Sequence, residues 1–209
     1  MSKSILSILA LLSIGKSLCQ SPIIGLFDGI EYGETNNAYY KDTQDDLDKF
    51  IGTWIWSDNN SSLTIEFRLL EQELITFSTD NSQFYTDLII GEYIYVENGQ
   101  ELINTMHLFD SPFISNLDHN IAGNFIEDKA GRPYCDECTV SERRLKVFFT
   151  DPNYQHIENR AILRHLITAG QETIEMLLLQ EYVNTVDNPY PQNPAEISMP
   201  YGSYTLIKQ

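Results

Sequence analysis

After residue 50, apolar and polar residues alternate with a period of two along most of the chain, and short turn-forming clusters interrupt the alternation. Leu63, Ile65, Phe67 and Leu69 alternate with Thr64, Glu66 and Arg68, which predicts a strand with one wet face. Leu74 to Thr79 predict a further short strand. After Asp80-Asn81-Ser82 a long strand is expected over Phe84 to Glu97. Its Ile89, Tyr93 and Tyr95 share a face with Gly91, a position suited to a bulge or a bend. Asn98-Gly99 predicts a type I′ hairpin whose return strand is Leu102 to Leu108. A loop over Phe109 to Asn116, a strand around Asn120 to Ile126 and a polar loop over residues 127 to 142 follow.

Leu145, Val147 and Phe149 resume the alternation. Arg160 to Thr168 and Thr173 to Val183 flank Ala169-Gly170-Gln171 as a hairpin. Leu177-Leu178-Leu179 is apolar on both faces, so that strand is expected to be covered on its outer side as well. Four prolines between Asn184 and Pro200 exclude a regular element and predict an extended crossing. Tyr201 to Lys208 read as the last strand, closing against an earlier one. Upstream, Asp42-Thr43 is placed to cap a helical turn over Asp45 to Phe50, with Asp45, Asp46 and Asp48 near its positive end. A calcium loop is the alternative, but these aspartates lack the Asp-x-Asp-x-Asp-Gly spacing and terminal glutamate of an EF-hand, which favours a solvated helix start. Residues 20 to 41 read as an N-terminal arm with a short edge strand. So many short strands point to a barrel or sandwich.

The stretch Phe50-Ile51-Gly52-Thr53-Trp54-Ile55-Trp56 opens the strand-rich region. Its Gly52-Thr53-Trp54 core, preceded by the helical entry, resembles the signature of the lipocalin-like (calycin) barrels. It is also similar to lipocalin-like domains of exported bacterial proteins, a likeness covering about residues 45 to 209. The resemblance implies an all-β, antiparallel up-and-down barrel of about 8–10 strands with a short N-terminal helical turn. In it the glycine lets backbones approach and the tryptophan plugs the floor. Two family features differ. The Thr-Asp-Tyr motif is missing from its place, Thr86-Asp87-Leu88 being the nearest string. The late arginine that stacks on the tryptophan has Arg160, Arg164 and Lys208 as candidates. The resemblance further implies an interior cavity or a filled core. Trp54, Trp56, Tyr93, Tyr95, Met106, His165 and Met176 are the candidate ligand-binding residues, since aromatic rings and methionine suit an apolar or amphipathic ligand. Each also fits as plain core.

Composition narrows the partners. The 209-residue chain is 42% hydrophobic with a formal net charge of −17, so nucleic acid and anionic membranes are poor partners. Residues 1 to 19 have the form of a cleaved leader: Lys3, an apolar run from Ile5 to Ile14, and Ser17 and Cys19 just before Gln20. Export to the periplasm or beyond is therefore expected, with cleavage before Gln20. Leu18 and Lys16 fit a lipoprotein site at Cys19 poorly. The run is too short to span a bilayer, and no later segment is expected to cross one. The organisation read from the chain is a leader (1–19), an arm (20–41) and a barrel domain (42–209).

Cys135-Asp136-Glu137-Cys138 admits a redox dithiol, half of a zinc site or a local disulfide. A redox pair wants a strand before it and a helix at its first cysteine, and here a Gly-Arg-Pro turn and a strand flank it. Zinc needs two more ligands, and His107, His119, His156 and His165 show no paired spacing. An exported location and an even count without Cys19 favour the disulfide. No nucleophile elbow, zinc-protease helix or phosphate loop is present in the sequence. His165 shares a strand face with Ala161, Leu163 and Ile167, which predicts an inward imidazole. No cofactor, metal or enzymatic role is expected. The expected function is binding of a small apolar molecule, or of a protein partner at the cell surface by a barrel with a filled core.

Overall fold

In the computed structural model, which describes residues 22–27, 32–77, 82–112, 114–183 and 196–209, the alternation becomes eleven strands. They are β1 (Ile23–Gly25), β2 (Tyr39–Lys41), β3 (Gly52–Asp58), β4 (Ser61–Thr76), β5 (Gln83–Glu97), β6 (Gln100–Asn104), β7 (Ile121–Glu127), β8 (Arg144–Phe149), β9 (Ile157–Thr168), β10 (Gln171–Val183) and β11 (Gly202–Lys208). Eight of them form a closed antiparallel barrel in the order β3-β4-β5-β7-β8-β9-β10-β11. Closure comes where Trp54 and Ile55 of β3 pair with Lys208 and Ile207 of β11. This is the up-and-down barrel expected from the alternation and the Gly52-Thr53-Trp54 stretch. The expected leader and residues 184 to 195 of the crossing lie outside the described residues.

Local chemistry sets the turns and the ends. Asn98 and Gly99 both have positive φ, 53° and 74°, as the β5–β6 hairpin requires. Ala169 and Gly170 do the same between β9 and β10. Gly52 opens β3 at φ 117°, in the region that favours glycine. The entry turn is tighter than expected, a 3-10 turn over Asp48–Phe50. Asp42 does not cap this shorter turn, which has no side-chain cap; its carboxylate instead accepts the amide of Leu47, the residue before the turn, at 2.7 Å.

Two expected elements are corrected. The two strands predicted over Leu63–Leu69 and Leu74–Thr79 are one 16-residue strand, β4. A bulge between Leu70 and Glu73 carries Gln72 at φ 55° and realigns the alternation without ending the ladder. The return strand stops at Asn104 and not Leu108. The Thr105 hydroxyl takes over the ladder at Tyr93, accepting its amide at 3.0 Å, and Met106–Asp110 coil into a 3-10 turn.

β5 is the spine of the sheet. One edge pairs with β4 throughout, while β2, β7 and β6 share the other edge in turn. The far end of the β4–β5 hairpin therefore projects beyond the ring and carries the arm, with β1 and β2 lying parallel to each other and β2 parallel to β5. A small second cluster of Ala38, Tyr40 and Phe84 sits there, against Ile24, Leu26 and Ile75.

Candidate functional site

The barrel interior, where a ligand was expected, is occupied by buried side chains. Alternate residues of all eight barrel strands converge in one buried cluster that includes Trp54, Phe67, Tyr93, Tyr95, Leu163 and Met176. Fully burying each large apolar side chain contributes roughly 1.5–3 kcal/mol. Gly91 lies opposite Phe67 and beside Ile121, and a β-carbon there would stand 2.8 Å from Phe67 Cδ1. The glycine is thus needed for space: the Phe67 ring uses the room a side chain would take.

Both ends are stopped. At one end Leu47 and Phe50 of the entry turn are wholly buried under Trp54, whose indole N–H donates to the Phe50 carbonyl at 2.7 Å. The Lys208 ammonium stands 5.2 Å from the indole ring centre, so of the three candidates for the stacking cation it is Lys208 that lies there. Lys208 donates to Glu172 at 2.8 Å, and His165 Nε2 reaches the same oxygen at 3.0 Å. Those hydrogen bonds hold the Glu172 carboxyl below the usual carboxylate range. His165 meets both Trp54 and Phe50 edge-on. At the other end Met199, from residues 196–201, enters the same cluster with no exposed surface.

That end is pinned by polar groups. Asp151 is fully buried and accepts the amides of Ser198 at 2.7 Å and Asn153 at 2.9 Å. Tyr201 donates to Asn159 at 2.7 Å, and burial with Asp151 nearby raises its phenol to about 12. Tyr93 donates to the Thr150 carbonyl at 3.1 Å, and burial, then Asp151, pushes its phenol far up.

Of the residues singled out from the sequence, Trp54, Tyr93, Tyr95 and Met176 meet in the cluster. Trp56 is half-buried against it, edge-on to Tyr204 at 4.9 Å. His165 lies at the Trp54 end. Met106 is in the 3-10 turn outside β6 and is not part of the cluster. Cys135 and Cys138 are joined by a disulfide. Their loop lies over β9, β10 and β11, beside Leu177, as the outer cover that Leu177-Leu178-Leu179 predicted. Arg144 holds the loop from beneath, its guanidinium donating to the Pro133, Asp128 and Gly131 carbonyls at 2.9, 3.2 and 3.0 Å.

On the outside of β5, β7 and β8 lies a feature that the sequence reading missed. A cleft of about 280 Å³ opens between the projecting β4–β5 hairpin, with Phe77 and Phe84, and the barrel wall, with Phe125 and Phe148. Tyr32 and Leu117 close its rim. Its signal was the apolar run Leu88-Ile89-Ile90 and the doublets Phe125-Ile126 and Phe148-Phe149, since neighbours in a strand point to opposite faces. Among the described residues no group of three His, Cys, Asp or Glu side chains could hold a metal ion. No described helix is long and apolar enough to cross a membrane.

Residues 1–209 fit the model of a Family of unknown function (DUF6705). The chain belongs to that family. No curated protein matches the DUF6705 chain. No solved structure matches it.

Proposed function

We propose that this DUF6705 chain is an exported, non-catalytic binding protein whose barrel is a solid scaffold and whose outer surface does the recognition. The observation that carries the reading is the continuous interior cluster, stopped by Phe50 and Leu47 at one end and Met199 at the other. A barrel of eight strands is just wide enough for its own side chains or for one small ligand, and here side chains take the space. The buried carboxylates support a non-catalytic role. Asp87, Glu92 and Asp151 each accept at least one backbone amide, so they are held as structural acceptors. Export is supported by the leader pattern of residues 1 to 19 and by a disulfide, which persists in oxidising compartments.

One observation favours the carrier alternative. Met199 belongs to a connecting segment and not to a barrel strand, so lifting that segment would open the interior to a small apolar molecule. Titrating the purified protein with decanoate while following Trp54 and Trp56 emission separates the two. The scaffold reading expects unchanged emission. Saturable quenching by stoichiometric decanoate would reject it in favour of the carrier. Fractionating cells that express the chain with and without residues 2–19 tests export, which expects the protein outside the cytoplasm only when the leader is present.

A further inference from the structure

The outer cleft has the properties of a ligand site, and its walls define the ligand. None of the residues that line it carries a charge. Its polar groups are committed to one another: the two N–H groups of Asn124 Nδ2 are shared among Thr86 Oγ1 at 2.8 Å, the Asp87 carbonyl at 2.8 Å and the Tyr32 hydroxyl at 3.1 Å. An ionised occupant would find no counter-charge among the lining side chains to offset the hydration it gives up there. The occupant is therefore neutral.

Size and shape narrow it further. The volume of about 280 Å³ lies just under the ~300–1,000 Å³ typical of sites for drug-sized molecules. A long acyl chain or a steroid exceeds it, while one or two fused rings fit. Five of the lining residues are aromatic: Tyr32, Phe77, Phe84, Phe125 and Phe148. They already meet one another tilted or edge-on, with Tyr32–Phe84 at 5.1 Å and 79° and Phe77–Phe84 at 5.7 Å and 45°. Such a cage offers both ring faces and ring edges, the complement of an aromatic guest. Phe77, Phe125 and Phe148 remain 45%, 41% and 41% exposed. Apolar surface gathered in one concave place marks a binding site, unlike apolar residues scattered singly.

The cage is also held firmly. Phe148 carries the Arg160 guanidinium 3.2 Å from its ring centre, and Glu181 accepts from that arginine at 2.9 Å. On the other wall the Asp87 carboxylate ties Tyr39, Asp42 and the Gln72 bulge together, joining the arm to the projecting hairpin. A preformed site loses little freedom on binding.

We propose that this cleft binds a neutral aromatic molecule of one or two fused rings. The proposal rests on the solid-scaffold reading and gives its outer surface a specific ligand. The probe is indole, titrated into the full chain and followed by NMR of the aromatic side chains, with indole-3-acetate as the charged control. Indole is expected to bind saturably, with a dissociation constant of about 0.1–1 mM for so small a ligand, and to shift Phe125 and Phe148. Indole-3-acetate should bind at least tenfold more weakly. Ala122→Phe, which fills the cleft from β7, should weaken indole at least tenfold. Phe125→Gln, at a half-exposed ring whose loss the fold tolerates, should weaken it severalfold and serves if the first variant does not fold. No saturable shift in the folded wild-type chain, or equal binding by the variants, overturns the cleft and leaves the scaffold reading standing. Binding that shifts Trp54 and Tyr93 and ignores both variants overturns the scaffold reading itself.

Discussion

Replacing Gly91 by alanine tests whether the barrel interior has any slack. Gly91 is in the middle of β5 and its φ lies outside the positive range, so the backbone accepts alanine without strain. Fewer unfolded conformations would then favour the variant by about 0.4–1 kcal/mol. Opposing this, the new methyl would stand 2.8 and 3.1 Å from two carbons of the Phe67 ring and 3.1 Å from Ile121 Cβ. Phe67 and Ile121 are both buried in the cluster, so neither can swing into solvent. Overpacking of this kind costs roughly 1–3 kcal/mol. The steric cost wins, leaving a net loss of about 1–2 kcal/mol, or about 2–8 °C in Tm for a domain of this size. Urea unfolding should show a lower midpoint with an unchanged m-value. Phe67→Leu alone should also destabilise, by about 1–2 kcal/mol through the cavity it leaves. The double variant should lose less than the sum of the two, because each change accommodates the other. A neutral or stabilised Gly91→Ala, or strict additivity in the double variant, would show that the interior has room and would refute the filled-core reasoning.

Three further outcomes follow from particular groups. Asp87→Asn replaces by an NH2 donor one of the two carboxylate oxygens that accept from the Tyr39 hydroxyl and the Asp42 and Gln72 amides. It should cost about 2–4 kcal/mol, with hydrogen exchange rising first at Tyr39–Lys41; uniform exchange across the barrel would count against it. Replacing Cys135 and Cys138 by serine opens a ring spanning a sequence separation of 3, so the loss should stay within about 2 kcal/mol. A collapse of the whole domain in differential scanning calorimetry would contradict that. The hydrogen bond from Arg164 lowers the Glu142 carboxyl, as those from Lys208 and His165 lower Glu172. Both groups bind fewer protons folded than unfolded, so their stabilisation is present above the ordinary glutamate range near 4.3 and is lost as pH falls through the lowered values. Glu142→Gln with Glu172→Gln should flatten the acid limb of a stability-versus-pH curve, and an unchanged limb would exclude these groups as its source.

The strands were legible where alternation runs unbroken. Leu63, Ile65 and Phe67, or Leu145, Val147 and Phe149, have one face each, and period two states that directly. Around Glu71-Gln72-Glu73 the alternation slips by a bulge, so β4 read as two strands. The residue that secures the bulge, Asp87, lies 15 positions away. Thr105 hid the end of β6 for a similar reason, since a threonine serves equally well within a strand and as a side-chain substitute for the ladder. Trp54 as a buried floor residue was legible only through the resemblance that Gly52-Thr53-Trp54 carries, and it is indeed wholly buried. The outer cleft was not, because its walls come from six separate segments of the chain that only the folded sheet brings together. The apolar doublets Phe125-Ile126 and Phe148-Phe149 put a ring on the outer face, yet nothing in them indicates what stands opposite.

The ring closes between its first and last strands, β3 and β11. The hydrogen bonds that finish the cylinder therefore join the most distant parts of the sheet, and they form late. Until β11 has been synthesised, β3 has an unpaired edge and Trp54 no lysine above it. A chain of this design stays unfinished while it is being made, and it becomes a closed body only once β11 has joined β3.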